Sequence, residues 1–269
     1  MAVRVEKQDH ITTVIIDRID ARNAVDPATA DLLMNAFVDF DADPQARVAV
    51  FWGAGGAFCA GYDLKYAATL AEPETFQHEI ASRLAFSDHG PVARGPMGPS
   101  RLALSKPVIA AVEGPAVAGG MELALWCDMR VMADDAFFGV YCRRWGIPLI
   151  DGGTVRLPRL VGMGRAMDII LTGRKVTAEE ALRIGLCERV VQRGLARAAA
   201  EDLAREIARF PQAAMRADRH SAYAGFGLDT REALQCEWAG GIDAFVQEGA
   251  TGAARFAQGR GRQGNFRDI

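Results

Sequence analysis

Two glycine-rich segments carry the residue types from which an anion or oxyanion site is built. The first is Gly55-Gly-Ala-Phe-Cys-Ala-Gly-Tyr-Asp-Leu64, and the second is Glu113-Gly-Pro-Ala-Val-Ala-Gly-Gly-Met-Glu-Leu123. Each follows a short apolar run. The second leads into Met121–Cys127, which has helical composition, so the amides of Gly119 and Gly120 would stand unpaired at a helix N-terminus. Two such N–H groups about 3 Å from one oxygen would stabilise an enolate or a tetrahedral oxyanion. The other reading is that these glycines only permit tight turns. Phosphate-binding patterns fail on context. Gly259-Arg-Gly-Arg-Gln-Gly264 fits GxGxxG by letter but follows no strand and opens no helix. In Gly53-Ala-Gly-Gly56 the third glycine position falls on Phe58, and the chain holds no GxxxxGK[ST] and no GxSxG.

The elements that must position these turns alternate. Ile11–Ile16, Val48–Trp52, Val108–Val112 and Met129–Ala133 read as strands. Their unbroken apolar runs predict a sheet covered on both faces. Asp26-Pro27 opens a helix, with Ala30, Leu33, Met34, Phe37 and Val38 at helical spacing. Connections of more than ten residues predict parallel pairing with right-handed crossovers. Two strand-end turns can then converge at the carboxyl edge of one sheet. A helix is expected around Glu74–Phe86 and a long loop through His89–Pro99. Beyond about residue 195, alanine-rich helices follow over Leu195–Phe210, Pro211–Tyr223 and Asp229–Val246.

Composition excludes several classes. Of 269 residues, 50% are hydrophobic, enough to bury a large core, so disorder is not the main state. A formal charge of −3 with no lysine-arginine run argues against nucleic acid as a partner. Glu6, Asp9, Asp17 and Asp20 interrupt any export signal, and no later stretch gives an uncharged membrane span, so no membrane partner is expected. Five cysteines without a CxxC pair then read as reduced thiols, which places the protein in the cytoplasm. Four dispersed histidines offer neither HExxH nor a histidine triad, so no metal site is expected.

The segments Phe58-Cys-Ala-Gly-Tyr-Asp-Leu64 and Ala110-Ala-Val-Glu-Gly-Pro-Ala-Val-Ala-Gly-Gly-Met-Glu-Leu123 resemble the crotonase superfamily, the enoyl-CoA hydratase/isomerase group. The similarity continues through Arg22-Asn-Ala24, Asp151-Gly-Gly-Thr154, Leu157-Pro-Arg-Leu-Val-Gly162, Ile170-Leu-Thr-Gly173 and Ala178–Leu186, nearly the whole chain. The resemblance implies an α/β fold of stacked ββα turns, the ClpP/crotonase core, over residues 1–194. A helical region over 195–269 would build a homotrimer or a dimer of trimers. It implies an acyl-CoA thioester as substrate, with coenzyme A part of that substrate and no metal, nucleotide or redox cofactor.

Carried over by motif position, the backbone donors to the thioester carbonyl are Tyr62 and Gly119, flanked by Ala60 and Gly120. Ala21, Arg22 and Ala24 would lie against the adenine end of the CoA. Asp63, Leu64 and Lys65 follow in the same turn, with Lys65 where the family often places a basic residue near the CoA phosphates. Arg260 and Arg262 could approach a neighbouring subunit's CoA. Glu122 matches the first of the two glutamates with which a hydratase holds its water; its bland alternative is a first-turn acid complementing the helix dipole. The place of the second falls on Cys142, in Val140-Tyr-Cys-Arg-Arg144, and a thiol cannot replace a carboxylate's charge. A buried, inert cysteine is the reading adopted for it, with Tyr141, Arg143 and Arg144 flanking the pocket.

Asp151, in Pro148-Leu-Ile-Asp-Gly-Gly153, lies one residue beyond the place where dienoyl-CoA isomerases and some family hydrolases carry an aspartate. In so apolar a stretch it could serve as proton donor or base. As a turn residue it could equally cap the helix that begins near Thr154. The expected function is an enoyl-CoA hydratase-type lyase, with Glu122 as principal acid/base and Asp151 as second group. Isomerisation, decarboxylation or thioester hydrolysis through the same enolate, or non-catalytic acyl-CoA binding, are the alternatives.

Overall fold

The computed structural model describes residues 1–70, 72–82, 84–86 and 93–266. Six strands form the main sheet: β1 (Val3–Gln8), β2 (Ile11–Ile16), β3 (Val48–Gly53), β4 (Val108–Val112), β6 (Met129–Ala133) and β9 (Arg189–Val191), in the order β1-β2-β3-β4-β6-β9. From β2 onward all pairs are parallel, as the crossover lengths predict. β1 pairs antiparallel with β2 through a tight turn at Asp9, an addition the sequence reading did not contain. A second sheet joins β5 (Pro115–Val117), β7 (Phe137–Gly139) and β8 (Lys175–Thr177). The helices are α1 (Pro27–Ala42), α2 (Leu64–Thr69), α3 (Pro73–Phe76), α4 (Gly119–Trp126), α5 (Gly153–Val161), α6 (Met163–Thr172), α7 (Ala178–Ile184), α8 (Ala196–Ala208), α9 (Gln212–Ala224), α10 (Thr230–Ala244) and α11 (Ala250–Ala257).

Both faces of the main sheet are covered. Ala49, Phe51, Ala110 and Val112 point into one cluster with Leu33 and Phe37 of α1 and Leu123 of α4. Val48, Val50, Ile109 and Ala111, the alternate residues, pack under Ala200, Leu203, Ala204 and Ala208 of α8. Period-two alternation therefore persists beneath an unbroken apolar run. The Phe37 ring meets Phe51 and Trp126 edge-on at 5.1 and 4.8 Å, tying α1 to the sheet and to α4. Asp26 caps α1 by accepting from the Thr29 amide.

Two expectations change. In place of one helix over Glu74–Phe86, α3 runs into a π-helical turn over Gln77–Ser82. Of the long loop, residues 89–92 lie outside the described residues, and Gly95 and Gly98 close a tight turn by exchanging backbone hydrogen bonds of 3.0 and 2.9 Å. Among the described residues no helix is long and apolar enough to cross a membrane.

Candidate active site

The site forms where the loop after β3 meets the N-terminus of α4. The Phe58 and Cys59 amides donate to the Pro115 carbonyl at 3.1 and 3.2 Å, and Val117 returns a bond to the Cys59 carbonyl at 3.0 Å. The loop is thus paired along β5. At its end Gly61 takes φ +94°, and a Cβ there would stand 3.0 Å from the Ala118 Cβ and 3.2 Å from the Gly119 nitrogen. A side chain there would be both strained and crowded. On its other side the loop bridges to Val25, whose amide donates to the Gly61 carbonyl and whose carbonyl accepts from Asp63. That bridge leaves the Tyr62 amide unused.

Ala118 holds φ +53° and ψ −126°, a strained conformation for a residue with a side chain. Its amide is held by the Gly139 carbonyl at 2.8 Å. The strain turns the chain into α4 so that the Gly119 amide, like that of Tyr62, has no acceptor among the described residues. Two N–H donors without partners thus flank Gly61, the arrangement an oxyanion requires.

The acids lie beside them. Glu122 is 2% exposed, and its Oε1 accepts from the amides of Asp151 and Gly153 at 2.9 and 2.8 Å. The Gly153 bond places this carboxyl at the N-terminus of α5 as well as in the first turn of α4. Burial, and then the neighbouring Asp151 charge, push its pKa up to about 7 against the two amide bonds that oppose the rise. Asp151 is 4% exposed, and its Oδ1 accepts from the Met97 amide at 3.1 Å and from the Ser100 hydroxyl. Burial also raises the Asp151 pKa, while Ser100, Met97, Arg101 and Arg156 oppose the shift. The helix-capping alternative for Asp151 does not hold, because α5 carries no side-chain cap.

Cys142 sits buried on the short turn Tyr141–Trp145. Its pKa is raised by burial and by the charge of Glu122, so the thiol stays neutral beside that carboxyl. Neither flanking guanidinium is committed to Glu122. Arg143 donates to the Ile170 carbonyl at 3.3 Å, and Arg144 stacks on Tyr141.

The candidate CoA-binding residues form an adjoining rim. Ala21 ends a short turn, and Arg22 and Asn23 follow at φ +51° and +59°. The Arg22 carbonyl accepts from the Ala60 amide at 3.0 Å, and the Ala24 carbonyl from the Arg18 guanidinium. Asn23, fully buried, ties the rim to the β3 loop by donating to the Ala54 and Ala57 carbonyls. Asp63 caps α2 and pairs with Arg18 at 3.0 Å, a positioning task, while Leu64 and Lys65 stand exposed at the start of that helix. Gly120 lies against the Cys59 carbonyl, with no space for a Cβ. Arg262 donates to the Phe256 and Ala257 carbonyls near its own end of the chain.

The sequence reading missed Met97, Ser100 and Arg156. Arg156 Nη1 donates to the Asp151 carbonyl at 2.9 Å and Nη2 to the Ser100 carbonyl at 2.8 Å, clamping the two segments together. A cavity of about 660 Å³ opens beside Asp151 and Ser100, lined also by Trp126, Arg159, Tyr223 and Phe226. Glu122 and the two amides are not on its wall.

The family model described as enoyl-CoA hydratase/isomerase matches residues 6–256. Enoyl-CoA hydratase EchA19 of Mycobacterium tuberculosis is 36% identical over 264 residues, 95% of this chain and 93% of that protein. Carnitinyl-CoA dehydratase of Salmonella arizonae is 39% identical over 208 residues, 77% of this chain and 74% of that protein. The crystal structure of enoyl-CoA hydratase EchA1 from Mycobacterium marinum matches with a TM-score of 0.85 at 33% identity, covering 96% of each chain. The chain belongs to the enoyl-CoA hydratase/isomerase family of the crotonase superfamily.

Proposed function

We propose that this crotonase-family enzyme, which acts on an acyl-CoA thioester, is a hydratase-type lyase that adds water across the double bond of a 2-enoyl-CoA. The thioester oxygen accepts from the Tyr62 and Gly119 amides, which stabilise it as charge builds in the enolate. Glu122 and Asp151 hold one water between them. At neutral pH two buried carboxyls that repel one another favour a state with one ionised and one protonated. The ionised member takes a proton from water as its oxygen attacks the β-carbon; the protonated member gives its proton to the α-carbon. Dehydration reverses each transfer. Nothing beyond these residues is needed, because coenzyme A is part of the substrate.

The observation that carries this reading is the hydrogen bond from the Asp151 amide to Glu122 Oε1, which holds the Glu122 carboxyl against the backbone of Asp151 and supports their acting as a pair. The neutral Cys142 thiol supplies no charge, so Asp151 stands as the second carboxylate. Carnitinyl-CoA dehydratase, one of the relatives, is named for the reverse type of reaction. Assembly into a homotrimer or a dimer of trimers is part of the same proposal. It is supported by the apolar residues Leu234, Trp238, Phe245, Val246 and Phe256, which the single chain leaves exposed from α10 through α11.

The test is the absorbance of the conjugated enoyl thioester after mixing enzyme with crotonyl-CoA. The expected result is its loss with appearance of the 3-hydroxyacyl product. CoA binding without turnover across short, medium and long enoyl chains would overturn the assignment.

A further inference from the structure

We propose that Ser100 is a positioning residue for the reaction: its hydroxyl holds Asp151 as the ionised, proton-accepting member of the pair and leaves Glu122 to carry the proton. The inference rests on the carboxyl-pair reading above.

Ser100 lies buried in the turn Pro99–Arg101 and donates from Oγ to Asp151 Oδ1, the oxygen that also receives the Met97 amide. Both donors therefore converge on one oxygen. Oδ2 accepts no hydrogen bond among the described residues and is the one left to work on water. The geometry is fixed from three sides. Arg156 bridges the carbonyls of Asp151 and Ser100. The Gly95 turn closes over the contact so tightly that a Cβ there would stand 2.0 Å from Ser100 Oγ and 2.5 Å from Asp151 Oδ1. Glu122 receives the Asp151 amide from the remaining side.

A hydroxyl and an amide donating to one carboxylate oxygen favour its charged form, and such charge-assisted bonds are stronger than neutral ones. The cations around Asp151 act in the same direction. Arg101, next in the same turn, and Arg156 on α5 are cations that favour the anion. The Cys59 thiol, pushed up to about 12 by burial, stays neutral. Glu122 on α4 shares Arg156 but receives only two amides and no hydroxyl, and its charge is opposed by Asp151. The proton shared by the pair is thereby assigned to Glu122.

The test compares wild type with Ser100→Ala and Ser100→Thr in the pH dependence of kcat/KM for crotonyl-CoA. Loss of the hydroxyl is expected to move the acid limb upward by about one pH unit, the scale of one hydrogen bond to a charged group. KM should change little, and Ser100→Thr should restore the limb. A uniform fall in rate at every pH, or an unmoved limb, would show that Ser100 only supports the turn. A second readout does not depend on turnover. In protein labelled with carboxyl-¹³C aspartate, the signal lost in Asp151→Asn should titrate at higher pH in Ser100→Ala than in wild type. An unchanged titration would overturn the role of Ser100 even in an active enzyme. Absence of hydratase activity with a shifted titration would overturn the reaction and leave the role of Ser100 standing.

Discussion

Glu122 is buried at a cost to folding that can be measured. Its pKa in the folded chain is pushed to about 7, against an ordinary value of 4.5. Between those two pH values the folded chain binds more protons than the unfolded one, so stability falls as pH rises through that window and is level above it. The loss amounts to roughly 3 kcal/mol. Glu122→Gln keeps an oxygen for the Asp151 and Gly153 amides and removes the titration. Denaturant unfolding should therefore show the variant gaining on wild type from pH 4 to pH 8, and parallel curves would contradict the assignment. At this scale the sequence was half legible. The Gly119 amide was readable because a glycine pair opening a helix is a local pattern, and Glu122 through the resemblance of its motif to the crotonase superfamily. Ser100 and Met97 were not, because they reach Asp151 across more than fifty residues and no local spacing records the contact.

At the scale of elements, the site depends on how closely α4 and α5 approach. A Cβ at Gly153 would stand 2.9 Å from Glu122 Oε1 and 3.0 Å from its Cγ, so Gly153→Ala must push the carboxyl away. Displacements of this kind at a reacting group cost on the order of a hundredfold. We expect kcat for crotonyl-CoA to fall by about that factor with KM near wild type, measured by steady-state kinetics. An unchanged kcat would show that the Gly153 amide does not seat Glu122. β2, β3, β4 and β6 were legible because continuous apolar runs mark a doubly covered sheet, whereas β1, exposed at all but Val3, carries no such run. β5, β7, β8 and β9 were not, since three residues are too few to display a period. α4 begins at Gly119, two residues before helical composition starts, because the strained Ala118 rather than residue propensity sets its first turn.

For the whole molecule, the helical C-terminal region divides in two by its packing. α8 completes the core by covering the second sheet face, with Ala200, Leu203 and Ala204 buried. α10, the turn Phe245–Gly249 and α11 leave large apolar side chains outside, with Trp238 and Phe245 70% and 71% exposed. Surfaces of this kind mark contact with another chain. Light scattering should give three or six times the 29.0 kDa of one chain, and Trp238→Glu should lower that mass. A wild-type mass of one chain would contradict the proposed assembly. The alanine-rich pattern revealed these helices in the sequence, but periodicity reports which face is apolar, not what covers it.

The proposed mechanism has Glu122 and Asp151 act as one unit on a water beside the Tyr62 and Gly119 amides. Its most direct test is kcat/KM for crotonyl-CoA in Glu122→Gln, Asp151→Asn and the double variant. Each single change should cost about 10²–10⁴-fold, the usual contribution of a positioned acid or base. The double variant should lose little more than the worse single, as groups working together do. Wild-type turnover in Asp151→Asn, or losses that multiply in the double variant, would contradict the paired mechanism.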